Sequence, residues 1–147
     1  MPYFFRKEGC RKKKQEYKIS SSLKNSIVEF TITGEVAADD HGTFVKTIYE
    51  MIDLNKPKKL LVDMRKLKAN FGYTDAYFRV QEYPSHRREI IHAIVDVPER
   101  TDYRSFHETV ARNSGLCLKW FTDIAPAREW LMENSVLSLE KKLRKLF

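Results

Sequence analysis

Residues 59–64 read KLLVDM, with Leu60, Leu61 and Val62 in unbroken succession. A short apolar run of this kind is how a strand covered on both faces reads, and such strands belong to parallel sheets. The same shape returns as IIHAIVDV at 90–97 and as LCLKWF at 116–121. Helical segments are predicted between and after these runs. They are 74–83, closed by Pro84; 103–113, closed by Gly115; and 123–134, with Pro126 in its first turn. Their apolar positions suit packing on a sheet: Phe106 and Val110 are four apart, and Ala127, Trp130 and Leu131 stack likewise.

Upstream, YKISSSL at 17–23 and SIVEFTITGEV at 26–36 are extended stretches. In the second, Ile27, Glu29, Thr31 and Thr33 interleave with Val28, Phe30 and Ile32, so the pair reads as an opening hairpin turning at Lys24 and Asn25. Gly34 ends the strand. Asp39 and Asp40 are capping residues for a helix on which Phe44, Val45, Ile48, Met51 and Ile52 recur at helical spacing, opposite Lys46, Thr47, Glu50 and Asp53. Pro57 breaks that helix. The expected order is ββαβαβαβα: a single α/β domain whose mixed sheet of about five strands is flanked by helices, its parallel pairs joined by right-handed crossovers.

The chain has 147 residues, which is about one domain. Its formal net charge of +7 is concentrated at the ends. Residues 1–14 hold six bases against one acid and residues 139–147 four against one, leaving −1 for everything between. The expected division is therefore a basic N-terminal arm at 1–16, the domain at 17–134, and a basic amphipathic helix at 135–147. In that last segment Val136, Leu139, Leu143, Leu146 and Phe147 form one stripe, which completes the fold, makes a homodimer contact or lies on a membrane surface. RKKK at 11–14 reads as a solvated arm. No stacking aromatics are interleaved with it, so no specific nucleic-acid partner is implied, and membrane contact is at most peripheral. Cys10 and Cys117 form no disulfide or zinc pattern, and no apolar run reaches spanning length, so a cytoplasmic location is expected.

The two opening strands followed by VAADDHGTFVKTIYEMIDLN, LLVDMRKL, IHAIVDVPE and LKWFTDIAPAREWL resemble the SpoIIAA-like branch of STAS domains, the STAS/SEC14-like bacterial proteins. The resemblance covers about residues 17–134. Its most specific piece is a strand running into F-T-D and then A-x-x-W-L at 121–131. It implies a non-enzymatic regulatory or ligand-binding role with no cofactor. In the sporulation-type anti-anti-sigma factors of that family, a serine at the start of the helix after the central strand is phosphorylated, and its charge blocks partner docking. The corresponding stretch here, LLVDMRKLKANFGYTDAYF, contains no serine. Thr74 sits at the expected N-cap, where it either caps the helix alone or also serves as phosphoacceptor.

The same stretch is rich in aromatics. Phe71, Tyr73, Tyr77, Phe78 and Tyr83, with Thr74, are the candidate binding residues, since residues 77 and 78 cannot share one narrow helix face. They dock a partner protein or wall an apolar cavity for a lipid-like molecule, as some SpoIIAA-like proteins are thought to do. Arg87 and Arg88, in SHRR after Pro84, are candidate anion contacts.

Several chemistries are disfavoured. The five glycines form neither a dinucleotide fingerprint nor a P-loop. His41, His86, His92 and His107 lack metal-ligand spacing, and no nucleophile elbow is present. Asp63 and Asp96, near strand C-terminal ends, read as residues opening loops, and Cys117 reads as core.

Overall fold

The computed structural model describes residues 16–69 and 89–134. Its strands are β1 (Tyr17–Lys24), β2 (Ile27–Val36), β3 (Lys59–Ala69), β4 (Ile91–Val95) and β5 (Cys117–Phe121). The helices are α1 (His41–Asn55), α2 (Thr101–Asn113) and α3 (Ile124–Glu133). The sheet runs in chain order, β1-β2-β3-β4-β5, with β1 antiparallel to β2 and the other pairs parallel. This is the mixed α/β sheet expected. The predicted helix at 74–83, the tail at 135–147 and the arm, apart from Glu16, lie outside the described residues.

The hairpin closes on Asn25 and Ser26, one residue later than expected, and both have positive φ, 51° and 65°. Two such residues match the right-handed twist of the strands they join. Gly34 is required where β1 begins. Its φ is 103°, and a Cβ there would lie 2.1 Å from the Glu16 carbonyl oxygen, which accepts a hydrogen bond from the Glu35 amide.

Consecutive apolar residues of β3 serve opposite faces, as their succession implied. Leu60 and Val62 join Val28, Phe30, Ile32, Phe44 and Ile52 beneath α1, whereas Leu61 joins Ile27, Ile91, Ala93 and Val95 beneath Ala127 and Leu131 of α3. Each crossover carries the chain one strand in the same direction, and right-handedness then sends α1 and α2 to one face. Their contact runs through Tyr49, Val110 and Ala111.

Two departures from expectation have local causes. β3 continues to Ala69 because a bulge restores its register: Thr31 faces Asp63, but Thr33 faces Lys66. Asp63 accepts the backbone amide of the bulged Arg65 at 3.1 Å and grips its guanidinium at 2.9 and 2.8 Å. Leu67 thereby returns to the core, where it is fully buried. Asp39 and Asp40 belong to a 3-10 turn, Ala38–Asp40, and Asp40 makes no side-chain capping bond to α1. The turn hands the chain into the helix directly, and the capping bond expected of Asp40 is not made. Asp123, by contrast, accepts the Ile124 amide at the start of α3.

Candidate functional site

Phe71, Tyr73, Thr74, Tyr77, Phe78, Tyr83, Arg87 and Arg88 all lie outside the described residues. What the described residues build is an apolar recess on the sheet face between α1 and α2, with a volume of about 160 Å³. Phe44 and Ile48 of α1, Val62 and Ile94 of the sheet, and Tyr103 and Trp120 contribute to its lining. A volume of roughly 150 Å³ lined by apolar side chains accepts a molecule the size of benzene. The recess therefore suits one ring or a short alkyl segment.

Its floor includes His92. Burial lowers the pKa of this imidazole to about 4, against the opposing pull of backbone groups at Cys117 and Ile90, so the side chain is neutral at physiological pH. Neutrality keeps the floor compatible with an apolar occupant. Cys117, half-buried on β5, has its thiol pKa pushed up by burial, as a packing cysteine does.

At the α2 side of the recess, Trp120 donates its indole N–H to His107 Nδ1 at 3.1 Å, which assigns the His107 proton to Nε2 in the neutral ring. Tyr103 stacks on His107 at 6.0 Å and meets Trp120 edge-on at 6.1 Å. Glu108 accepts the backbone amide of Trp120 at 2.8 Å. That amide belongs to the edge strand β5, so α2 blocks part of the sheet edge with a carboxylate.

Glu29 near the start of β2, Asp63 within β3 and Asp96 just past the end of β4 form ion pairs, none of which was visible in the sequence pattern. Asp96, fully buried, accepts the Val97 amide and two bonds of 2.9 Å from Arg100. Burial raises its pKa, with the Val97 amide and the Arg100 charge opposing. Arg100 also donates to the Leu67 carbonyl, filling the position left where β4 stops and β3 continues. Asp63 is held by Arg65, and Glu29 by Arg128. Asp96 thus opens a loop as expected, whereas Asp63 does not, because β3 runs on through the bulge to Ala69; both carboxylates anchor bases. The described residues include no group of three His, Cys, Asp or Glu side chains able to hold a metal ion, and no helix among them is long and apolar enough to cross a membrane. The strand order never reverses, so these strands form no crevice of the kind in which doubly wound sheets hold nucleotides.

No protein-family model and no curated protein matches this chain. Solved structures do. An anti-sigma factor antagonist from Mycobacterium paratuberculosis superposes with a TM-score of 0.55 at 13% identity, covering 79% of this chain and 94% of the other. An uncharacterized protein of the DUF3478 family with a SpoIIAA-like fold, from Shewanella loihica PV-4, superposes with a TM-score of 0.50 at 16% identity, covering 84% of this chain and 99% of the other. The chain carries a SpoIIAA-like fold.

Proposed function

We propose that this protein is a non-enzymatic regulatory module that acts in the cytoplasm by docking a partner protein through residues 71–83. The observation that carries this reading is the fold shared with an anti-sigma factor antagonist over 94% of that protein's length. Shared fold alone is an analogy. It is strengthened by the excess of aromatic side chains at 71–83, because rings that a core does not absorb are the usual anchors of an interface. Thr74 is then a phosphorylation point at which added charge would oppose docking, and Arg87 and Arg88 contact anionic groups of the partner.

A photo-crosslinking amino acid placed at position 73 in cells tests the docking surface. One discrete protein adduct, lost on adding Thr74→Glu and absent when the crosslinker replaces the exposed Leu54, is the expected result. Equal labelling at both positions would overturn it.

The recess favours a second reading, in which the module holds a lipid-like molecule by one ring or alkyl segment. Native mass spectrometry of freshly purified protein, before and after denaturation, distinguishes the two. A discrete apolar adduct that Ile94→Trp removes supports the second reading, and a bare protein excludes it for the purified state.

A further inference from the structure

The two edges of the sheet are treated differently. On β5, α2 lays Glu108 against the Trp120 amide. On β1, no described strand or helix covers the outer edge, although this strand is eight residues long. Its backbone groups divide by hairpin geometry. A two-residue turn of positive φ is closed by a pair that exchanges both backbone bonds, here Lys24 with Ile27. By alternation, Ser22, Ser20 and Lys18 also bond inward to β2, and the amides and carbonyls of Tyr17, Ile19, Ser21 and Leu23 point outward.

The side chains beside this edge are sorted as well. Lys18 and Lys24 rise on the α3 face of the sheet, with Ser20 and Ser22 between them. Thr33 faces both Lys18 and Lys66, so a third cation stands in the same row two strands away. On the other face, Ile19 is half-buried against the core and Leu23 is 70% exposed.

We propose that the outer edge of β1 receives an extended acidic peptide segment as a sixth strand, its carboxylates over Lys18 and Lys24 and its alternate apolar side chains over Ile19 and Leu23. Backbone pairing supplies affinity in this mode and the alternating side chains supply selectivity. A second copy paired antiparallel about Ser21 fits poorly, because that register sets Lys18 against Lys24 at both ends. The chain's own head fits poorly too, carrying six bases against one acid in residues 1–14. This surface lies on different residues from the docking stretch at 71–83, and either assignment can fail without the other.

The test uses the full chain and an acetylated, amidated heptapeptide alternating glutamate and valine, with a lysine-for-glutamate version as control. Hydrogen exchange read by NMR should slow at the amides of Ile19, Ser21 and Leu23 with the acidic peptide only. Ser21→Pro removes an outward N–H without touching the bonds to β2, and should weaken binding about tenfold. Lys18→Glu combined with Lys24→Glu should transfer the preference to the lysine peptide. Unchanged exchange at these amides, equal response to both peptides, or protection already present in a dimer of the protein alone would each overturn the proposal.

Discussion

Glu29 and Arg128 stand 99 residues apart in the chain and meet through two parallel hydrogen bonds of 2.7 and 2.9 Å. Glu29 is 6% exposed, on the sheet face covered by α3, and Arg128 reaches it from that helix. A buried carboxylate is tolerated only with such a partner. Arg128→Ala should therefore cost about 2 kcal/mol, less than for a fully buried pair because Arg128 is partly exposed. The double variant Glu29→Leu with Arg128→Met should recover most of that loss, since no charge is left stranded. Urea unfolding of the unaltered protein and the two variants measures both quantities.

His92 makes stability fall on mild acidification. Its folded pKa of about 4 lies below the ordinary value of 6.5, so the unfolded chain binds a proton that the folded chain refuses. Stability is complete above about pH 6.5 and declines as the pH drops towards 4, by about 3 kcal/mol in all. Chemical denaturation between pH 7 and 4.5 should show this slope, and His92→Leu should flatten it.

Asp63 acts in a lower window. Burial alone would raise its pKa, but the hydrogen bonds and charge of Arg65 outweigh that and hold it below the ordinary 3.8. Its contribution is present above that ordinary value and is lost as the pH falls through the lowered one. Asp63→Ala should abolish this second acid step and destabilise the protein at pH 7 by about 2 kcal/mol, because the Arg65 amide loses its acceptor. Amide exchange should then quicken at Lys66, Leu67 and Lys68 before it does so at Leu60 or Leu61.

Gly34→Ala should destabilise by about 3 kcal/mol, combining the strain of a positive φ with a clash against the Glu16 carbonyl. Gly42→Ala is the matched control. Nothing lies within 4 Å of a Cβ there, and the position is helical, so thermal unfolding should show a slight gain.

The strands of the core were legible because burial on two faces leaves a local mark, as in Leu60, Leu61 and Val62. The stripe of Phe44, Ile48 and Ile52 was legible because burial of one helix face repeats at helical spacing. What escaped was mostly non-local. Arg65-Lys66-Leu67-Lys68-Ala69 reads as loop after an apolar run ends, and only the bulge held by Asp63 makes it a strand. Glu29 looked like a solvent-facing residue in an alternating strand; the clue was its place in a row that also holds the buried Ile27. Arg128 gave no sign of its partner, because one sequence carries no distances. Of the candidate site, Trp120 and Tyr103 went unremarked as recess residues because they are brought together only by α2 folding back along β5. The aromatics at 71–83 were conspicuous in composition and lie outside the described residues.

The chain-ordered sheet has a consequence for how the molecule assembles. Every described strand pairs only with its neighbour in sequence, so no pairing among them waits for a segment further along than the next strand. The hairpin of β1 and β2 can serve as a template to which each later strand is added in turn. The clasp of Arg128 on Glu29 ties the last described helix back to the second strand, and it would close at the end of that sequence, a timing that kinetic analysis of Arg128→Ala would show as faster unfolding with an unchanged folding rate.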